Sequence, residues 1–331
     1  MKKLINDPND VLLESVEGFV AAHGDLVTAS YDPLFLTATG GPTHGRVAIV
    51  SGGGSGHEPL HGGFVGPGML DAAVPGAMFT SPTPDQVEAA IRAVDGGAGV
   101  LAIVKNYTGD VMNFEMALEL LDDDAIEVNS VLVNDDVAVE DSTWTAGRRG
   151  VAGTVVVEKI AGAAAARGDN LTAVTELANR VIANVRTMGV ALEACTVPHV
   201  GRPSFDLAED EIELGVGIHG EPGRERAQMA PADTITQMLL DPVLEDLNLK
   251  TGENALLFVN GMGATPASEL YIVFRHAKKV LASRGINVSR SLVGNYVTSL
   301  DMQGASITVA RLDDELTALW DAPVHTAAIR W

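Results

Sequence analysis

The chain has 331 residues, 46% of them hydrophobic and 20% charged. That is a globular composition, long enough for two domains, and it excludes a disordered chain. Its 22 basic and 44 acidic residues leave a net charge of −22, which argues against nucleic acid or an anionic membrane as partner, because both need a basic face.

The N-terminal Lys2-Lys3 precedes no apolar stretch, so a secretory signal is not expected. No apolar run reaches the length of a membrane span, and a cytoplasmic protein is expected. The first clear strand is 46–51 (RVAIVS), followed by Gly52-Gly53-Gly54-Ser55-Gly56-His57-Glu58-Pro59. Pro59 sits where a helix would open. Thr83-Pro84-Asp85-Gln86 fits a capping box starting a helix that runs to about Val94. Residues 99–105 (GVLAIVK) read as a strand, 111–121 as an amphipathic helix with Asp110 near its start, and 127–133 as a strand. Two Ala-rich helices, 154–167 and 171–186, are separated by Gly168-Asp169.

In the second half, 190–197 and 212–218 read as strands and 234–247 as a helix. The only cysteine, Cys195, reads as a structural thiol at a buried strand end, and no intrachain disulfide can form. The strand 255–260 (ALLFVN) leads into Gly261-Met262-Gly263-Ala264-Thr265-Pro266 and a strong amphipathic helix over 267–283. Strands at 287–298 and 305–310 and a short helix at 313–319 complete the chain. Strands alternating with helices predict an α/β fold of two domains, 1–187 and 188–331, each a mostly parallel or mixed sheet flanked by helices.

Three clusters carry chemistry. Residues 51–63, SGGGSGHEPLHGG, put a glycine-rich turn after a buried strand, where backbone groups approach a ligand closely. No Gly-Lys-Ser/Thr follows, so it is not a P-loop, and it is neither a dinucleotide fingerprint nor a nucleophile elbow. His57-Glu58-Pro59-Leu60-His61 fits the zinc-protease spacing. Both histidines reach one metal only from inside a helix, and Pro59 as the first helical residue puts His57 outside it. The second cluster, 99–110, carries Lys105 and Asp110 across a strand-to-helix turn. A lysine ending a buried strand implies a ligand or carboxylate beside it. Asp110 reads either as a helix cap or as a site group. Both clusters lie at carboxyl ends of strands, where open α/β sheets bind ligands. The third, Gly215-Val216-Gly217-Ile218-His219-Gly220-Glu221-Pro222-Gly223, leaves the His219 imidazole accessible between glycines, and imidazole is a nucleophile toward carbonyls.

These motifs, together with FTSPTPDQ (79–86), DDVAV (135–139), AGRRGVAGT (146–154), ACTVP, GATP and ALWDAPVH, resemble the substrate-binding (K-type) chain of the dihydroxyacetone kinases over nearly the whole length. The resemblance implies that His219 adds through its ring nitrogen to C2 of dihydroxyacetone as a hemiaminal, selecting short ketones and aldehydes over glycerol. It implies that Asp110 and His57 meet the hydroxyl to be phosphorylated, one of them as base. Lys105 would bond a substrate oxygen, and backbone groups from Gly54 through Ser55 to Gly56 would hold the other end. The chain itself carries no phosphate-cradling motif or metal cluster, so no cofactor is expected on it. ADP and Mg²⁺ are expected on a separate L-type subunit recharged by an M-type phosphocarrier of the phosphotransferase system; a separately encoded ATP-using subunit is the other possibility. The resemblance also implies a homodimer. The alternatives are a kinase subunit for another short ketose such as erythrulose, a ligand-sensing regulatory paralogue, and a zinc hydrolase.

Overall fold

The computed structural model describes residues 2–121, 125–140 and 145–331. A first helix, α1 (Val11–His23), precedes a hairpin of β1 (Val27–Tyr31) and β2 (Leu34–Ala38). Next come β3 (Ala48–Ser55), β4 (Ala72–Met78), α2 (Pro84–Val94), β5 (Val100–Lys105), α3 (Thr108–Glu119) and β6 (Val128–Val133). Two helices follow, α4 (Gly153–Arg167) and α5 (Leu171–Ala183). The remainder is β7 (Val185–Glu193), β8 (Glu211–Leu214), β9 (Glu225–Gln228), α6 (Ala232–Leu247), β10 (Asn254–Gly261), α7 (Ala267–Ser283), β11 (Asn287–Gly294), β12 (Gln303–Leu312) and α8 (Asp314–Asp321).

The strands form two mixed six-stranded sheets, ordered β1-β2-β4-β3-β5-β6 and β11-β10-β12-β7-β8-β9. In the first, β4, β3, β5 and β6 run parallel, and the β1–β2 hairpin adds an antiparallel edge. In the second, only β10 and β11 are parallel. The fold is therefore two α/β units, with the second more antiparallel than the alternation of elements suggests. Hydrophobic period reports a strand but not the direction of its neighbour. The expected division at 187/188 falls inside β7, whose first residue, Val185, already pairs with Ala310 in the second sheet.

Side-chain alternation sets the layers. In the first sheet Ile49, Leu101 and Ile103 face one core, while Ala48, Val50, Val100, Ala102 and Val104 face another with α2 and α3. In the second, Leu256 and Phe258 join the same core as Ile49, while Ala255, Leu257, Ile307 and Val309 pack with α6 and α7. The shared core between the sheets is filled by α4, α5 and α8. Every residue of α4 from Gly153 to Ala165 is buried. Thr83 and Gln86 form the predicted capping box. Gly168 is the left-handed cap of α4, and the Asn170 side chain caps α5.

One predicted helix is missing. The chain after Pro59 makes a turn and a short 3-10 segment, Gly62–Phe64, because two glycines at 62–63 disfavour a helix and both flanking histidines are drawn into buried hydrogen bonds. Among the described residues no helix is long and apolar enough to cross a membrane. Cys195 is buried just beyond β7, with its Sγ 3.6 Å from the Ser204 hydroxyl.

Candidate active site

The glycines 52–54 continue β3 rather than leaving it, paired in register with Val74, Pro75 and Gly76 of β4. Their missing side chains make room. A Cβ on Gly53 would lie 2.2 Å from Lys105 Nζ, and one on Gly54 would lie 2.6 Å from the Thr80 backbone nitrogen. Gly53→Ala therefore presses on a movable ammonium and Gly54→Ala on fixed backbone. Thermal melts should show Gly54→Ala to be the less stable variant, losing about 1–3 kcal/mol. Equal stability of the two variants would contradict this packing.

Lys105 ends β5 with no solvent exposure. Its Nζ lies 3.3 Å from the Gly52 carbonyl, 2.9 Å from His61 Nε2 and 3.8 Å from Asp110 Oδ2. Asp110 is buried in the first turn of α3, two residues beyond its first residue, so it is not the cap; that position is Tyr107. A carboxylate there is favoured by the helix dipole.

His57 is buried, and its Nδ1 lies 2.8 Å from the Thr298 carbonyl oxygen. A carbonyl only accepts, so Nδ1 carries the hydrogen and Nε2 is a lone-pair acceptor. That Nε2 is buried without a protein partner. Burial, then the neighbouring His219 and Lys105, push the His57 pKa well below its ordinary value, so the ring is neutral.

His219 comes from the other sheet. The predicted strand to Ile218 stops at Leu214, because Gly215 turns with φ of +76°, and the loop beyond carries the histidine into the site. The Arg149 guanidinium, wholly buried, holds the Gly215 carbonyl at 2.7 Å and pairs with Asp136. The His219 ring then lies edge-on to His57, Tyr107 and Phe79, at centroid distances of 4.7, 4.6 and 5.3 Å. Its side chain keeps 18% of its exposure, so solvent reaches it. His219 Nδ1 is 3.0 Å from Glu221 Oε1, and the His219 N–H donates to Glu221 Oε2. Burial alone would raise the Glu221 pKa; His219 and Arg149 outweigh it and hold the carboxyl at about 2. Glu221 is thus ionised, Nδ1 donates to it, and Nε2 is left free.

The structure thus brings His57, Lys105, Asp110 and His219 into one cluster from two sheets. Ser55 and Gly56 stand beside it. The Ser55 hydroxyl donates to the Gly76 carbonyl, and the Gly56 N–H donates to the Glu58 carboxylate. Sequence reasoning assigned no role to Phe79, Tyr107, Arg149 or Glu221. Phe79 and Tyr107 lie inside quoted motifs, and Glu221 is two residues from His219. Arg149 and its partner Asp136, 13 residues away, also lie inside quoted motifs, AGRRGVAGT and DDVAV. The two histidines of the zinc-like spacing have separate partners, and no group of three or more His, Cys, Asp or Glu among the described residues is placed to hold a metal ion. A separate apolar cavity of about 350 Å³ lies between α1 and Gly53–Gly63; none of Lys105, Asp110 or His219 lines it.

A family model for the Dak1 domain matches residues 17–328. The chain belongs to the Dak1 domain family. Among Dak1 relatives, it is 52% identical over 329 residues to the dihydroxyacetone-binding subunit DhaK of the PTS-dependent dihydroxyacetone kinase 1 of Listeria innocua, covering 99% of this chain and 100% of that one. It is 48% identical over 355 residues to the corresponding DhaK subunit of the PEP-dependent kinase of Escherichia coli K12, covering 100% and 99%. The solved structure of the dihydroxyacetone kinase operon co-activator Dha-DhaQ superposes with a TM-score of 0.89 at 34% identity, each chain covered to 98%. The Dak1 fold thus serves both kinase subunits and a regulator, and the site residues must separate the two.

Proposed function

We propose that this chain is the dihydroxyacetone-binding subunit of a multi-subunit dihydroxyacetone kinase. The observation that carries the reading is the His219 imidazole. It is tied through Nδ1 to an ionised carboxylate, fixed by three rings, and presents an unencumbered Nε2 beside the buried acceptor of His57.

In this reading Nε2 of His219 adds to C2 of dihydroxyacetone. The new N–C bond uses the nitrogen lone pair; the carbonyl π pair moves to oxygen, which takes a proton from the solvent that reaches the site and becomes a hydroxyl. The positive charge left on the ring faces Glu221, which accepts or balances the Nδ1 proton. Lys105 bonds a substrate oxygen. A terminal hydroxyl gives its proton to His57 Nε2 or Asp110 and attacks the terminal phosphorus of the nucleotide held by an L-type subunit; the bond from that phosphorus to the bridging oxygen breaks, ADP stays on that subunit, and reversal of the addition at His219 releases dihydroxyacetone phosphate. Burial depresses the basicity of His57, which favours Asp110 as the group that takes the proton. The chain works as a cytoplasmic homodimer, and the ADP and Mg²⁺ belong to the partner, which a phosphocarrier recharges.

The test is carbon-13 NMR of dihydroxyacetone labelled at C2. Capture moves the ketone resonance into the range of a tetrahedral carbon and raises the protein mass by one intact substrate, with no loss of water. An unshifted ketone signal at saturating substrate overturns the reading. A regulatory paralogue would show the shift but no phosphorylated product when any L-type subunit is added. Competition with erythrulose separates the C3 and C4 substrates. Gly53→Ala, by displacing Lys105, should weaken capture roughly 10- to 100-fold, the worth of one hydrogen bond to a charged group. Unchanged affinity in that variant would remove Lys105 from the site.

A further inference from the structure

Behind the site lies a chain of buried groups that the proposed reaction does not use. Glu158 sits in the middle of α4 with no solvent exposure. Its Oε1 is 2.6 Å from His61 Nδ1, and His61 Nε2 is 2.9 Å from Lys105 Nζ. His61 is itself buried. An ammonium has hydrogens and no lone pair, so His61 Nε2 must accept from Lys105. The imidazole hydrogen is therefore on Nδ1 and is donated to Glu158. Burial and the Lys105 charge keep the ring neutral, as this pattern requires. Lys105 also lies within reach of the Gly52 carbonyl, so two of its three N–H directions are anchored inside the protein.

We propose that His61 and Glu158 are positioning residues: they hold the Lys105 ammonium against Gly53, balance its charge from the core helix, and leave its third N–H for a ligand oxygen. This rests on the reading of Lys105 as a substrate contact. Neither residue touches the substrate, and both act through Lys105. The arrangement parallels the carboxylate–histidine pairs that orient metal ligands, with an ammonium in place of the metal.

The titratable groups facing Lys105 are His57, His61, Asp110 and Glu158. Glu158 faces His61 and Lys105, with Ser51 as its uncharged neighbour. Lys159, next on α4, is turned away and donates to the Leu319 carbonyl. Burial pushes the Glu158 carboxyl up to about 8. It gains its full negative charge only as pH rises through that value, and the hold on Lys105 tightens in the same interval.

Glu158→Gln keeps the shape and an acceptor oxygen but removes the charge. At pH 9, where the wild-type carboxylate is ionised, the variant's dissociation constant for dihydroxyacetone should exceed the wild type's roughly 10- to 100-fold, with turnover of the bound substrate changing far less. The wild-type affinity should improve between pH 7 and 9, and the variant's should be flat. A purely structural role would lower the melting temperature without altering that profile. A variant with wild-type affinity and pH profile overturns the proposal. Nitrogen-15 NMR of the unmutated protein gives a second measurement: His61 must carry its hydrogen on Nδ1, and a hydrogen on Nε2 overturns the proposal as well. Failure of the wild type to capture the ketone would instead strike the functional reading, and the NMR tautomer is independent of it.

Discussion

His219→Ala should abolish the proposed adduct while the protein still folds. The residue sits mid-loop between β8 and β9 and keeps part of its exposure, but the variant loses its contacts with three rings and its bond to the buried Glu221 carboxylate, so a stability loss of about 1–3 kcal/mol is expected. What disappears is the ring nitrogen that is oriented by a bonded carboxylate and open to solvent. His57 cannot replace it. Its ring is buried, locked to Thr298, and lowered in basicity by burial. The affinity for dihydroxyacetone should fall by roughly 100-fold or more, about 3 kcal/mol, since Lys105 and Asp110 are left to hold a small, well-hydrated molecule by hydrogen bonds alone. Discrimination against glycerol, which lacks a carbonyl, should vanish with it. Calorimetry with both ligands on wild type and variant checks this. A variant that still prefers the ketone would show that selection comes from the pocket and not from the nitrogen. His219→Gln is the sharper control, because an amide fills the same space and bonds a carbonyl but does not add to it.

Asp110→Asn should separate capture from transfer. The amide matches the carboxylate in shape, so the first turn of α3 and the packing against Lys105 persist, and the C2 adduct still forms on His219. Phosphoryl transfer from a cognate L-type subunit should drop by about 10²–10⁴-fold, the contribution of a positioned base. Measurements of labelled product alongside the adduct signal give both quantities from one sample. If turnover survives while His57→Asn abolishes it, the base is His57.

The fold was legible where the hydrophobic period is strong and a cap marks the end. The helix 267–283 and the capping box at Thr83 have both features, and the glycine at 168 marks the break between two helices. It was not legible over 1–45, where α1 is mostly exposed and the β1–β2 hairpin is short, or at β4, whose Ala-Ala-Val-Pro-Gly-Ala-Met sequence carries little strand preference. Of the candidate site, His57, Lys105, Asp110 and His219 stood out because each breaks its local pattern: a lysine inside an apolar strand, histidines among glycines. Their meeting did not, because sequence gives no distance between a loop after β8 and the end of β5. Glu158 was hidden more completely. In an Ala-rich helix a single glutamate looks like a solvent-facing residue, and only the burial of α4 on every side shows otherwise.

That all-round burial of α4 has a further consequence. A helix without a wet face cannot be assigned to either sheet: cutting the chain near residue 187 would strip it of one wall whichever fragment kept it. The two halves should therefore fail to express as independent soluble pieces and should melt in a single cooperative step, although the outline suggests separable modules.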